Sequence, residues 1–319
     1  MTRPARIGLG LAALGRPQYM NLGHDADLAG VTQVAALEAR SHAVLDAAFD
    51  AGVRYFDAAR SYGRAEVFLK RWLDRRGLEP GAVTVASKWG YTYTANWQRD
   101  VEVHEEKDHS LANLERQWEL SRAQLWEYLD VYQIHSATLE SGVLEDGEVL
   151  SALAGLRRDR GLRIGLSVSG PRQADVLRRA LEARRDGQPL FQVVQATLNL
   201  LERSVAPALA EAKEAGLTVV VKEGLSNGRL AGRDRSGRSP ELHKRLSEGE
   251  ASPDAAALAA LLARPYVDVV LSGASTLEQL RSNLSASAVP AEEAQALWDQ
   301  TEPEAPEDYW TFRKTLPWT

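Results

Sequence analysis

Two kinds of apolar spacing alternate along most of this chain. Short, nearly continuous apolar runs predict buried strands. The stretches between them carry apolar residues every three or four positions, as one buried helix face requires. The strand-like runs are Arg6–Leu9, Val53–Asp57, Thr84–Lys88, Leu129–His135, Arg163–Ser169, Gln192–Thr197, Thr218–Lys222 and Val267–Leu271. The helical stretches are Ser41–Ala51, Ala65–Arg76, Ser110–Leu125, Val149–Arg160, Pro171–Arg185, Ser204–Ala215, Asp254–Ala263 and Thr276–Ala286, with a last one at Ala291–Gln300. Punctuation supports these bounds: Ser41 is a candidate N-cap, Pro171 stands near a first helical position, and Gly52, Gly77 and Gly216 follow helix ends. Residues 224–250, rich in Gly, Arg and Ser, read as irregular, and Thr301–Thr319 reads as a tail.

Eight strands, each followed by a helix, imply parallel strands with right-handed crossovers. The expected fold is an α/β (β/α)8 TIM barrel spanning 1–319 as a single domain. It carries a long loop after the third strand and a C-terminal tail at the barrel mouth. A doubly wound open sheet is the rival. The 319 residues, 44% of them hydrophobic, suffice for a large core.

Charge and composition narrow the partners. A net charge of -6 argues against a nucleic-acid-binding surface, which needs concentrated Lys and Arg. With no cysteine there is no disulfide, thiolate nucleophile or Cys-based metal site. The first residues lead directly into Ile7-Gly8-Leu9-Gly10 without a long apolar region, so no secretory signal is expected. No run approaches the roughly 18 apolar residues of a membrane span. The expectation is a soluble cytoplasmic protein.

A barrel places active residues at the C-terminal ends of its strands. Asp57 ends the second strand with Tyr62 in the following loop, Lys88 ends the third and His135 the fourth. Singly, each has an ordinary structural reading as a cap, a loop aromatic or a core histidine; Lys88 is the exception, because lysine is rarely buried unpaired. Together, at successive strand ends, they read as one site. Lys88 beside Tyr62 is expected to lower the tyrosine pKa, with Asp57 orienting the ammonium and His135 bonding a substrate oxygen or sharing a proton with Tyr62. Such a group delivers a proton to a developing alkoxide, which suits carbonyl reduction by hydride from a cofactor.

These residues resemble the catalytic tetrad of the aldo-keto reductase family, in the family's order. Phe56-Asp57-Ala58-Ala59 with Ser61-Tyr62-Gly63 is similar to its Asp-Thr-Ala…Tyr-Gly signature, and the resemblance runs from Ile7 to about Asn283. It implies NADP(H), or alternatively NAD(H), bound in extended form at the barrel mouth. The implied cofactor-binding positions are Ser167, Gln195, Lys222, Gly224, Leu225, Asn227, Arg229, Gly273, Ser275, Thr276, Gln279 and Asn283. Four depart from the family pattern. Val168 stands where it has Asn, Lys222 where an aromatic ring stacks on nicotinamide, and Gly273 and Gln279 where many members grip a 2′-phosphate with Lys and Arg.

The loop from Trp89 to His109 is unusually long and contains Trp89, Tyr91, Tyr93 and Trp97. Trp89 and Tyr91 are expected to wall a small-molecule carbonyl or sugar pocket, joined by Trp310 from a tail that also holds Tyr309, Phe312 and Trp318. His104 and His109 lack partners at metal-ligand spacing, so no metal site is expected. A barrel metallohydrolase would need more histidines at strand ends than His135. The remaining alternative is a regulatory or binding subunit that holds cofactor with little turnover.

Overall fold

The eight expected strands form in the computed structural model, which describes residues 6–98 and 101–318. They are β1 (Ile7–Gly10), β2 (Tyr55–Asp57), β3 (Thr84–Trp89), β4 (Leu129–Ala137), β5 (Arg163–Val168), β6 (Val193–Thr197), β7 (Thr218–Lys222) and β8 (Val269–Ser272). All pair in parallel and close in the order β1-β8-β7-β6-β5-β4-β3-β2. The β1–β8 seam, with Ile7 opposite Val270 and Leu9 opposite Ser272, excludes the open sheet.

Side chains on a strand alternate between two faces. In this barrel one face of each strand points inward. Tyr55, Ala86, Val131, Val193, Val220 and Leu271 form an apolar interior layer. Two residues further along the first five of these strands stand Asp57, Lys88, Gln133, Gln195 and Lys222. The same parity that fills the barrel with apolar side chains therefore ends in a polar layer at its C-terminal mouth. The opposite parity, including Phe56, Val85, Tyr132, Val194 and Val219, packs outward in the main core beneath the helices.

Those helices are α1 (Val34–Asp50), α2 (Ala65–Arg76), α3 (Leu111–Leu125), α4 (Gly147–Arg160), α5 (Gln173–Glu182), α6 (Ala206–Glu214), α7 (Pro253–Leu262), α8 (Leu277–Leu284), α9 (Ala291–Gln300) and α10 (Pro306–Lys314). Ser41 is not an N-cap: α1 begins seven residues earlier, and the buried Ser41 hydroxyl donates to the Leu14 carbonyl at 2.8 Å. The helix expected to reach Arg185 stops at Glu182, where the chain turns into a small ribbon of Arg184–Arg185 against Gln188–Pro189.

Two stretches read as unstructured are not. Residues 224–250 contain tight turns on either side of a left-handed kink at Asn227 and Gly228, and a helix at Pro240–Glu248, started by its proline and fixed by buried Leu242 and Leu246 one turn apart. In the tail, α10 buries Tyr309 and Trp310. The long loop after β3 is itself ordered by a two-stranded ribbon, Tyr91–Tyr93 against Glu105–Lys107. Among the described residues no helix is long and apolar enough to cross a membrane.

Candidate active site

Asp57 and Lys88 form a buried ion pair at the barrel mouth. The Lys88 ammonium also donates to the Ala58 carbonyl at 3.0 Å and to the Tyr62 hydroxyl at 3.4 Å. From the same polar layer, Gln195 and Gln133 donate to Asp57 Oδ1 at 3.0 and 3.4 Å. Asp57 is thus held by three donors, which satisfies a carboxylate removed from water. His135 Nε2 lies 3.5 Å from the Tyr62 hydroxyl, and its Nδ1 lies 3.5 Å from Ser61 Oγ. A register shift between Ile134 and Ala137 breaks the β4–β5 ladder beside His135. Ser136 there takes φ 51 and its N–H is caught by Ser167 Oγ at 2.8 Å. Such a bulge re-aims a side chain. The four residues are brought together as the sequence predicts.

The electrostatics differ from the expectation in one respect. The net shift of Tyr62 is upward rather than downward. Burial, followed by the carboxylates of Asp57 and Glu105, pushes its phenol well above the usual range, against the opposing pull of Arg16. Desolvation penalises the phenolate more than the nearby cations stabilise it. Burial, then Lys88 and Lys222, holds His135 well below the usual imidazole range. The site at neutral pH is therefore a protonated phenol beside a neutral imidazole.

The loop carrying Tyr62 is fixed from two sides. Gly15 and Gly63 let it press against the β1 loop: the Gly15 carbonyl accepts from Arg64 N at 2.7 Å, and a Cβ at Gly15 would lie 2.2 Å from the Tyr62 carbonyl oxygen. Gly63 has φ 58, and a Cβ there would lie 2.6 Å from the Gly15 oxygen. On the other side Glu66 pairs with Arg60 and accepts from Ser87 at 2.5 Å and Ser121 at 2.7 Å, tying the loop to β3 and α3.

A cavity of about 630 Å³ opens over Asp57, Tyr62 and His135. Its lining includes Gln195, Lys222, Gly224, Leu225, Asn227, Gly228, Gly273, Gln279 and Asn283. Arg16, Tyr19, Tyr91, Glu105, Trp310, Arg313 and Trp318 line it as well. Not every expected residue reaches it. Trp89 is fully buried and packs edge-on against His109, 5.6 Å between centroids, so it is not a pocket wall. Arg229 is buried in ion pairs with Asp234 at 3.0 Å and Glu304 at 2.6 Å, and holds the loop after β7 to the tail. Ser167 is spent on Ser136, and Thr276 caps α8 by accepting from Gln279 N. Ser275 bonds Gln279 Oε1 through its N–H at 2.9 Å. His104 stacks on Trp318 at 4.6 Å, and His109 Nε2 bonds the His135 carbonyl at 2.9 Å.

Lys222 lines the cavity and donates to Thr197 Oγ1 at 2.8 Å. Burial brings its ammonium down to about 8, although Glu223 works against the shift. Glu223 itself takes a bidentate ion pair from Arg313 of α10. Burial pushes its carboxyl up, but Arg313 and Lys222 prevail and hold it at about 2.

Comparison with known proteins decides what this barrel is. The model of the family described as "Aldo/keto reductase family" matches residues 6–299. The chain belongs to the aldo/keto reductase family. It shares that family's class of chemistry, NAD(P)H-dependent oxidoreduction. The protein is similar to Protein tas of Escherichia coli K12, 25% identical over 295 residues that cover 77% of this chain and 84% of the relative. It is also similar to the L-glyceraldehyde 3-phosphate reductase of the same organism, 27% identical over 317 residues that cover 88% and 85%. An aldo-keto reductase from Bacillus halodurans, solved in its holo form, shares the fold with a TM-score of 0.72 at 23% identity, over 95% of this chain and 94% of that one.

Gln195, Lys222, Asn227, Gln279 and Asn283 line the cavity and could hold a nicotinamide dinucleotide of the kind this reductase family uses. Ser226, Asn227 and Gly228 take φ of 49, 55 and 93, a left-handed run in which the Ser226 N–H donates to the Glu223 carbonyl at 2.8 Å and the Gly228 N–H to the Leu225 carbonyl at 3.0 Å. Asn227 Oδ1 is buried there without a protein partner among the described residues. At the tetrad end the fit differs from the family pattern: Val168 is buried in the core, and Lys222 supplies an aliphatic stem in place of a ring. Sequence reading missed Gln133, Arg16, Glu105 and Arg313. Only Gln133 carried a signal, since it shares strand parity with His135.

Proposed function

We propose that this chain reduces a small carbonyl compound to the alcohol, with Tyr62 as the proton donor. The observation that carries the proposal is the convergence of Tyr62, Lys88, Asp57 and His135 beneath one cavity. The nicotinamide cofactor, when bound, supplies the hydride. Gln195 and Lys222 would flank its reactive end, Gly224, Leu225, Asn227 and Gly228 its phosphates, and Gln279 and Asn283 its far end. NADP(H) is the proposed form and NAD(H) the alternative; dissociation constants for NADPH and NADH separate them.

The protein's own part is proton delivery. A carbonyl oxygen between the Tyr62 hydroxyl and His135 Nε2 meets two neutral polar groups. As negative charge grows on that oxygen, the Tyr62 proton transfers to it, and the adjacent Lys88 ammonium stabilises the phenolate left behind. Asp57 keeps Lys88 oriented for this. A raised Tyr62 pKa suits reduction, because an alkoxide is a far stronger base than a phenolate. Alcohol oxidation needs the phenolate first, so the same shift favours reduction at neutral pH.

The test follows loss of reduced-nicotinamide absorbance with a panel of aldehydes. Tyr62→Phe is expected to lower kcat/KM by about 10²–10⁴-fold while the cofactor dissociation constant stays within about 2-fold. Turnover near the wild-type rate in Tyr62→Phe would remove Tyr62 from this role. Tight cofactor binding by wild type with no turnover of any carbonyl would favour the binding-subunit alternative.

A further inference from the structure

Lys88, Arg16, Arg313 and Lys222 bring four positive charges to the barrel mouth, and the first three each carry their own carboxylate. Lys88 has Asp57, Arg16 has Glu105 at 2.6 Å, and Arg313 has Glu223. Lys222 has no carboxylate within ion-pair distance among the described residues. Its ammonium donates instead to Thr197 Oγ1 at 2.8 Å, from the strand position directly opposite it. The Thr197 hydroxyl donates onward to Glu223 Oε2 at 3.3 Å. A neutral hydroxyl therefore stands between Lys222 and Glu223, and both Glu223 oxygens already accept from Arg313. With an ammonium brought down only to about 8, Lys222 keeps its proton at pH 7. His135 beside it is neutral there. The three pairs cancel, and Lys222 is left as one uncompensated charge whose field reaches the tetrad, where it helps to hold His135 down.

A charge of this kind separates the two redox forms of a nicotinamide dinucleotide. The reduced ring is neutral and the oxidised ring is a pyridinium of charge +1, while phosphates, riboses and adenine are common to both. Like charges about 10 Å apart at an effective dielectric of about 20 alter a dissociation constant by more than about 10-fold, so the discrimination does not require contact between Lys222 and the ring. The carboxylates of Asp57 and Glu223 do not restore the balance, because each is bound to its own cation.

We propose that Lys222 is a redox-state discriminator, whose uncompensated charge makes the cavity hold a reduced nicotinamide dinucleotide more tightly than the oxidised one. The inference rests on the reading that this cavity takes that cofactor. Lys222 then acts on carbonyl reduction in two opposite ways. It hastens departure of the oxidised product, and it lowers the driving force for hydride donation while the dinucleotide is bound.

The experiment titrates the purified protein at pH 7 with NADPH, NADP+, NADH and NAD+ and takes, for each pair, the ratio of the oxidised to the reduced dissociation constant. Wild type is expected to favour the reduced form by about 10-fold or more. In Lys222→Met and in Lys222→Gln the ratio falls to within about 3-fold of unity. Lys222→Gln keeps a donor for Thr197 and carries the test should Lys222→Met fold poorly. A variant that only disturbs the fold or weakens phosphate contacts lowers both affinities together and leaves the ratio where it was. A wild-type ratio near unity overturns the proposal, as does a ratio that survives loss of the charge. Loss of the ratio in Lys222→Met but not in Lys222→Gln also overturns it, since the Thr197 hydrogen bond would then be responsible. A Lys222-dependent ratio in a protein that turns over no carbonyl compound would sink the reductase reading and uphold the discriminator. No binding of any of the four dinucleotides overturns the discriminator together with the cofactor reading.

Discussion

The ion pair between Glu223 and Arg313 pins α10 to the end of β7, and with Lys222 and Thr197 it outweighs the burial of the Glu223 carboxylate. The Glu223 side chain is 8% exposed and its carboxyl is held at about 2 against an ordinary 4.5. A difference of about 2.5 units at about 1.4 kcal/mol each gives roughly 3 kcal/mol favouring the charged form in the folded protein. A depressed carboxyl contributes fully above its unfolded pKa, near 4.5, and loses that contribution as pH falls toward 2. The perturbation is a double-mutant cycle of Glu223→Gln, Arg313→Met and the pair. Arg313→Met leaves the buried carboxylate only the charge of Lys222 and a Thr197 hydroxyl at 3.3 Å, so the cost is expected toward the lower end of the about 3–5 kcal/mol of a broken buried pair. For 319 residues the unfolding entropy scales to about 0.7 kcal/mol/K, so a loss of about 3 kcal/mol lowers Tm by about 4–5 °C. Urea denaturation at neutral pH measures the cycle. The expected coupling is about 2–3 kcal/mol, and repetition near pH 3 should shrink the deficit of Arg313→Met, because Glu223 without its partner accepts a proton there. A coupling under about 1 kcal/mol, or a deficit independent of pH, would refute the reasoning.

Three further outcomes follow from the geometry. Gly15→Ala would put a Cβ 2.2 Å from the Tyr62 carbonyl oxygen and 2.7 Å from Ala65 N. Backbone must then shift, costing about 2–3 kcal/mol in denaturant melts and about 10²-fold in kcat as Tyr62 is displaced. His135 lies well below the ordinary imidazole range, so kcat/KM should show no inflection near pH 6.5; one that vanishes in His135→Gln would contradict this. Lys222 is brought to about 8 from 10.5, so between those values the unfolded chain binds the extra proton and stability rises with pH. Lys222→Met lacks that rise; it should exceed wild type at pH 7 by up to about 3 kcal/mol, with the gap closing by pH 10.5, and a constant gap would show that Lys222 is not the group titrating.

The barrel was legible because strand burial is written in local apolar runs, and the tetrad because polar residues interrupt those runs at their ends. The elements misread share one cause, in that tertiary contacts overrode local signals. Ser41 looks like a cap until Leu14 is placed over it. The helix at Pro240–Glu248 is only two buried leucines deep, too little periodicity to stand out from its Gly- and Ser-rich surroundings. Trp89 continues β3 into the core, and whether an aromatic at a strand end faces cavity or core depends on parity and on what packs behind it, here His109. Arg16, Glu105 and Arg313 could not have been grouped, because loops after two different strands and the C-terminal helix bring them to the same cavity. The raised Tyr62 pKa likewise depends on depth, which the sequence does not express.

The two-residue step from the apolar interior layer to the polar one also constrains how the gene can drift. Tyr55 to Asp57, Ala86 to Lys88, Val131 to Gln133 and Val193 to Gln195 are each one full alternation of a strand. A single-codon insertion or deletion between the members of any such pair would turn its polar residue outward into the helix-facing core, burying it without a partner and emptying its place at the mouth. Triplet gains and losses should therefore be confined to the connecting segments, such as the turn of the ribbon between Tyr93 and Glu105, where length can change and the alternation of the strands is untouched. Diversification of what this barrel accepts is then free to proceed by loop length, while the polar layer at its mouth is inherited as a fixed reading frame of in and out.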